Sequence, residues 1–445
     1  MKYQPIDVCS ERVGRRNAVL LFLTGLFSQT QISVGGKLGI SELVMVACAP
    51  IVFILNLSLL RREHSLKYFL LILLWLAGAI FVDVYTHNHF IFAMKGIAVP
   101  ITVFGNSICV YLLLRKKLDN LKWLLFGMAI SGVVSIFVFQ RGGAGDIAAE
   151  YGMEAGVERV VGYKLFWVIQ LTTWLSLPIV AGYLKCPKWY ALSATGFLAV
   201  FNLVTGGRSM FFSAFVTLLL LALGGKTRES IVSIKRHFII IGLFFAAIGY
   251  GAKVAYEYAA EHGYMGEAEE AKHEKQSAHG SGVLQLLMAG RSDTFVGLSA
   301  ALDKPIIGHG SIAIDEHGYI LDFLSKYGNE KDFEMVRSSR EKYGAYRILA
   351  HSHIICFWMW HGIFGLLFWV YVIWMASVTI LRRLHIYPPW FGYFAVILPM
   401  FYWDVFFSPF GKRVEYAALF VTFLLIAQLE RQQKASWSAF ATTNG

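Results

Sequence analysis

The stretch AHSHIICFWMWHGIFGLLFWV, residues 350–370, is a run of apolar and aromatic side chains that opens on two histidines one residue apart. A helix of about 20 predominantly apolar residues is long enough to cross the hydrocarbon core of a bilayer. This run, continued to Leu381, meets that length and places His351 and His353 at its N-terminal end. Runs of the same character recur along the 445 residues, which are 56% hydrophobic and only 16% charged, with a mean hydropathy of +0.55. Such a composition excludes an ordinary soluble domain. The alternating segments of roughly 10 residues that mark a transmembrane β-barrel are not seen. The expectation is an all-α, polytopic integral membrane protein.

Twelve spans are predicted, at 17–34, 38–60, 66–82, 95–114, 121–139, 161–184, 188–204, 208–224, 237–256, 351–381, 388–407 and 413–430. Basic clusters then fall on alternate sides: Lys2/Arg12/Arg15/Arg16, Arg61/Arg62/Lys67, Arg115/Lys116/Lys117, Lys185/Lys188, Lys226/Arg228/Lys235/Arg236, Arg382/Arg383 and Arg431/Lys434. By the excess of Lys and Arg in cytoplasmic loops, these clusters put both termini inside. Arg15 and Arg16 precede an apolar run with no small-x-small cleavage pattern after it, which reads as a retained first span. The chain is expected to form a single membrane domain over 1–445. One long loop, 256–350, is inserted between spans nine and ten on the outer side. Loops of that length inside a compact domain are usually functional. It is predicted to hold an amphipathic helix from Val283 to Leu302, a Pro/Gly turn (DKPIIGHGS) and a second helical stretch around 316–347.

The net charge of +11 does not indicate nucleic acid. The long loop carries −5 and the remainder +16, much of it in short links between apolar runs, the membrane pattern rather than a nucleic-acid patch. Cys9, Cys48, Cys109, Cys186 and Cys356 lie outside the loop and form no disulfide or zinc pattern.

The informative charges are those on the wrong side. Arg141 (FQRGGAGD), Arg208 (TGGRSM) and Arg291 (MAGRSD) fall on the outer side, each next to glycine, with Gly207 and Gly290 preceding the last two. Glycine lets backbone approach a ligand closely, and the guanidinium fork suits bidentate phosphate contacts. Together they read as a cluster gripping an anionic, phosphorylated group. The alternative for each is a side chain that only reaches up to the headgroups. That alternative is the favoured reading for Lys95, Lys253, Lys412 and Arg413. Asp293, two residues after Arg291, orients that arginine or sits on a helix surface. The imidazole is the usual general base for a hydroxyl near neutral pH, and a helix N-terminus disfavours imidazolium. His351 is therefore a candidate base with His353 as the alternative; His262, His273, His279, His309 and His317 read as solvated loop residues. No Walker A loop, GxSxG elbow, HExxH or DxD-type acidic pair competes, and neither metal nor cofactor is expected.

AHSHIICFWMWHGIFG resembles the signature region of the O-antigen ligase and O-antigen (Wzy-type) polymerase superfamily. There a histidine, usually followed by Asn, precedes a helix with Gly eleven residues on and again three later. His351, Gly362 and Gly365 stand at that spacing, with Ser352 in place of the Asn. GRSDTFVGLSAALDKPIIGHGS is similar to the family's Gly-Arg, amphipathic helix and Pro-Gly-x-Gly pattern through Arg291, Pro305, Gly308 and Gly310. TGGRSMFFSAF matches its Gly-Arg turn through Arg208. The match covers roughly 200–370. It implies transfer of a glycan from an undecaprenyl-diphosphate carrier to a sugar hydroxyl on the periplasmic face of a bacterial inner membrane. In that chemistry His351 is the base and Arg141, Arg208 and Arg291 hold the diphosphate. A polymerase, whose acceptor is a second carrier-linked unit, is preferred. The alternatives are a ligase acting on lipid A–core and, in another class, a transporter of lipid-linked oligosaccharide. A flippase and a chain-length regulator are the implied protein partners.

Overall fold

Three stretches of the chain become helices long and apolar enough to cross a membrane: Leu66–Tyr85, Phe90–Leu114 and His353–Arg383. They belong to a mostly helical, all-α architecture, seen in a computed structural model. The structure describes residues 8–28, 30–33, 37–63, 65–137, 188–204, 208–223, 292–327, 347–348, 350–384, 390–408, 410–411 and 413–443, with a few isolated residues between them. Of the predicted spans, 161–184 and almost all of 237–256 lie outside the described residues, as do Arg141, Gly207, Gly290 and Arg291.

In chain order the helices are α1 (Val8–Leu26), α2 (Ile40–Leu55), α3 (Leu57–Arg62), α4 (Leu66–Tyr85), α5 (Phe90–Leu114) and α6 (Leu121–Phe137). They continue as α7 (Lys188–Val204), α8 (Arg208–Leu223), α9 (Ser292–Asp303), α10 (Tyr319–Tyr327), α11 (His353–Val378), α12 (Phe391–Phe407) and α13 (Arg413–Thr443). A π-helical turn, Thr379–Arg383, prolongs α11. The predicted first span, 17–34, is displaced: α1 starts earlier and stops at Leu26. Residues Gln31–Ser33 (β1) instead pair antiparallel with Lys37–Gly39 (β2), Ile32 opposite Leu38. Of the predicted loop helices, 283–302 is described from Ser292 on as α9, and α10 falls within 316–347; residues 283–291 and most of 328–346 lie outside the described residues. Pro305 follows α9 and cannot continue it, while the Asp315 carboxylate accepts from the amides of Tyr319 (2.7 Å) and Ile320 (3.0 Å) to start α10.

Aromatic side chains dominate the centre, where α4, α5, α11, α12 and α13 meet. Trp75 stacks on Phe368 with ring centroids 4.7 Å apart, and Trp369, Phe357 and Phe420 close around them. The opposite faces remain apolar: Ile51, Ile54 and Leu55 on α2, Phe81 on α4, and Val370 and Trp374 on α11 are all exposed. Helices apolar inside and out have the character of membrane helices.

Between α1 and α6 the backbones touch. A Cβ on Gly127 would stand 2.1 Å from the carbonyl oxygen of Phe22, and one on Gly25 2.2 Å from that of Leu124. Small residues of this kind let apolar helices pack where no hydrophobic drive brings them together. Gly127→Val is therefore expected to pry α1 from α6 and lower the thermal unfolding midpoint in detergent; an unchanged midpoint would refute the contact.

Charged groups within the bundle are paired at its two ends. Near one end Arg115 reaches Glu63 at 2.6 Å, and Gln428 donates to the Tyr111 hydroxyl at 2.7 Å. Near the other, Arg413 gives its Nε and Nη2 to Glu42 at 2.9 and 3.1 Å, and the Gly39 amide adds a third donor at 2.8 Å. The reading of Arg413 as a headgroup-seeking side chain is thus corrected: its charge is taken up by Glu42, which is itself 3% exposed.

Candidate active site at the head of a broken helix

Helix α11 is not continuous. At Gly362 the backbone turns to φ 57°, ψ −141°, outside the helical region. The donors and acceptors freed by the break are taken up by the segment Pro305–Gly310. His309 N donates to the Met359 carbonyl (2.8 Å), Gly310 N to that of Trp360 (3.0 Å), and Ile363 N to that of Ile306 (2.9 Å). The Trp358 indole N–H adds a bond to the Pro305 carbonyl at 2.9 Å. Irregular backbone at an apolar helix persists only where protein supplies its partners. Gly308 and Gly362 both have positive φ, and a Cβ on Gly308 would lie 2.7 Å from the Gly362 amide nitrogen. Two glycines let the strands of this junction meet; side chains would hold them apart.

Joined there, α9 lies along the upper half of α11. Gly297 faces Ala350 and Ile355. At the far end of this contact His351 and Asp293 meet, Nδ1 to Oδ2 at 2.9 Å, with side chains 31% and 43% exposed. The Thr294 hydroxyl holds the same corner by donating to the His351 carbonyl at 3.1 Å. With Nδ1–H directed at a carboxylate, the lone pair of the neutral imidazole falls on Nε2, the atom a general base would use. Asp293, expected to orient Arg291 or to sit on a helix surface, is thus the polar partner of His351.

Ser352 does something different. It is fully buried, caps α11 by accepting from the Ile355 amide at 3.3 Å, and donates to the Val405 carbonyl at 2.9 Å. It fixes where the helix starts and how it meets α12, and so supports His351 from below. His353 has no exposed surface and sits among the rings of Trp369, Phe410 and Tyr416, 5.0 to 5.5 Å between centroids. The two histidines therefore occupy unlike places, one at a rim and one in the core. Arg208 is the first residue of α8; its side chain lies outside the described residues. His309, read as a solvated loop residue, is half-buried, its Nε2 2.8 Å from the Ala300 carbonyl and its ring against Tyr319. Burial pushes its imidazole below the usual histidine range.

A second polar group escaped the sequence reading. His361, just before the break, accepts from the Trp75 indole at Nδ1 (2.9 Å) and meets the Ser311 hydroxyl at Nε2 (3.0 Å). Because the indole is only a donor, the ring proton sits on Nε2 and goes to Ser311. The Ser311 hydroxyl in turn donates to Asp83 (2.7 Å), which also receives the Ser311 amide (2.7 Å) and Asn88 (2.8 Å). The serine proton points at the carboxylate and the histidine supplies a proton rather than accepting one, so this is no nucleophilic triad. It is a latch tying the loop segment to α4 and α11. Asp83 was legible as a lone carboxylate in the apolar run AIFVDVY; its partners were not. Ser311→Ala leaves His361 Nε2–H without an acceptor and is expected to cost about 1–3 kcal/mol, read as a lower unfolding midpoint. An unchanged midpoint would disprove the latch.

The fold and site define a helical protein of membrane character with a histidine–carboxylate pair at the head of a broken apolar helix. No family model, curated protein or solved structure matches the chain.

Proposed function

We propose that the chain is a metal-independent membrane glycosyltransferase of the bacterial inner membrane. It moves a glycan from an undecaprenyl-diphosphate carrier to a sugar hydroxyl at the periplasmic face. The observation that carries this reading is the 2.9 Å contact of His351 with Asp293 at a partly exposed rim. In the reaction Nε2 of His351 takes the acceptor hydroxyl proton as that oxygen bonds to the anomeric carbon. The bond from that carbon to the diphosphate oxygen breaks with inversion, and the diphosphate leaves with the electron pair. Asp293 holds the ring and offsets the imidazolium charge that forms. Arg208, Arg291 and Arg141 stabilise the charge growing on the leaving diphosphate, where fixed cations in a water-poor site act most strongly.

Twelve spans with both termini cytoplasmic, and the segment 256–350 on the periplasmic side, complete the reading. The joining of two carrier-linked units, a polymerase, is favoured over ligation to lipid A–core because the outer arginines come from separate loops. A transporter fits less well: the buried Glu42, Asp83 and His361 all bond to protein partners, the arrangement of a latch rather than of a passage. The test is transfer by the purified chain in nanodiscs supplied with undecaprenyl-diphosphate-linked oligosaccharide. Elongated carrier-linked glycan is the expected product; glycan appearing only on added lipid A–core would make the chain a ligase, and no product with either acceptor would end the glycosyltransferase reading.

A further inference from the structure

Four residues before His351 stands a cation that the outer-face arginines do not include. Arg347 is exposed, its backbone bridges to Ile314, and the Ile348 amide donates to the Ala313 carbonyl at 2.9 Å. Four residues of extended chain reach at most ~14 Å, which bounds the separation of Arg347 and His351 along the backbone. The guanidinium lies over the ring of Phe92 in the first turn of α5, 4.5 Å from its centroid. Lys95, also exposed, is three residues further along α5 and so neighbours Phe92 on that helix surface.

The electrostatics of Arg347 differ from those of Arg413. Glu42 neutralises Arg413 with two bonds. No Asp or Glu among the described residues forms an ion pair with Arg347. A cation–π contact restrains a guanidinium without neutralising it, and the restraint lowers the entropy lost when a phosphate takes up its N–H donors. Among the described residues Arg347 is thus a pre-positioned cation without an ion pair, within the reach of four residues from the base. It comes from the α5 side, whereas His351 is held through Asp293 and Thr294 by α9, the helix that Arg291 precedes in the sequence.

We propose that Arg347 binds a phosphate carried by the acceptor, separate from the arginines that hold the donor diphosphate, an assignment that rests on the glycan-transfer reading. A base between donor carbon and acceptor hydroxyl needs one substrate on each side, and an anionic carrier on each side needs a cation on each side. The phosphate belongs either to a second carrier-linked unit or to lipid A–core; the chemistry is the same.

The test counts lipids on the full chain by native mass spectrometry from detergent, with undecaprenyl diphosphate as probe and neutral undecaprenol as control. Wild type is expected to take two diphosphate lipids and Arg347→Ala one, the weaker second Kd having risen about tenfold or more, with undecaprenol unaffected. Arg347→Lys should keep both with a weaker second, which also shows that the site is folded. If lipid A–core rather than undecaprenyl diphosphate fills the Arg347-dependent site, the acceptor phosphate is that of the core. Equal binding of both lipids by wild type and Arg347→Ala overturns the proposal, as does a single wild-type site that Arg347→Ala removes, which would put Arg347 on the donor. Failure of the transfer reading shows separately, as transfer retained by His351→Ala with the lipid count unchanged.

Discussion

His351→Ala is expected to reduce glycan transfer roughly 10²–10⁴-fold, the usual contribution of a positioned general base, while the protein stays in the membrane and unfolds at the wild-type temperature. The side chain is 31% exposed and, among the described residues, its ion-pair contact is to an exposed carboxylate, so little packing is lost with it. Asp293→Asn should fall between wild type and His351→Ala. The amide can still touch Nδ1 but no longer offsets the charge of the imidazolium formed in the transition state. His353→Ala separates the two histidines by another signature. It removes a fully buried ring from between Trp369, Phe410 and Tyr416 and should lower stability before it affects chemistry. Transfer that survives in His351→Ala but is lost in a folded His353→Ala protein would move the base one step along the motif and discard the role given to Asp293.

The second large effect is structural. Gly362→Ala places a Cβ 2.0 Å from the Ile306 carbonyl oxygen, in a backbone conformation that L side chains rarely adopt. The conformational strain alone costs about 1–3 kcal/mol. Displacing Ile306 also threatens its bond from the Ile363 amide, worth about 1 kcal/mol more. The expected result is a loss of about 3 kcal/mol, seen as a lower midpoint or as failure to elute as a single species in detergent. Gly196→Ala is the control, because nothing stands within 4 Å of a Cβ there and alanine is the better helix former. Equal midpoints for Gly362→Ala and wild type would mean that α11 tolerates a continuous helix and that the loop segment is not built into it.

The break explains why a Gly and Pro pattern accompanies the candidate site. Pro305, Gly308, Gly310 and Gly362 are spaced for a junction of two backbones, and the junction carries α9 to the position where Asp293 meets His351. From the sequence the glycines were visible as a motif and their purpose was not, since a glycine in a helical run reads equally as a helix contact. Ser352 was legible as a departure from a family pattern; its work as a cap and a tie to Val405 required the neighbouring helix.

What the sequence by itself determined is the helical, membrane-like character and the places of three long apolar helices, Leu66–Tyr85, Phe90–Leu114 and His353–Arg383. Both follow from the number of consecutive apolar residues, a property summed locally along the chain. It also marked His351 and His353, because histidines at the head of such a run are conspicuous, and the spacing to Gly362 and Gly365 in the family resemblance set His351 before His353. The partners were decided only by the tertiary structure. Ser311 finds Asp83 across 228 residues and His361 across 50, Arg413 finds Glu42 across 371, and Asp293 reaches His351 from another helix. A buried or half-buried polar group must be satisfied by whatever the fold brings within 3 Å, and no periodicity along the chain encodes which residue that is.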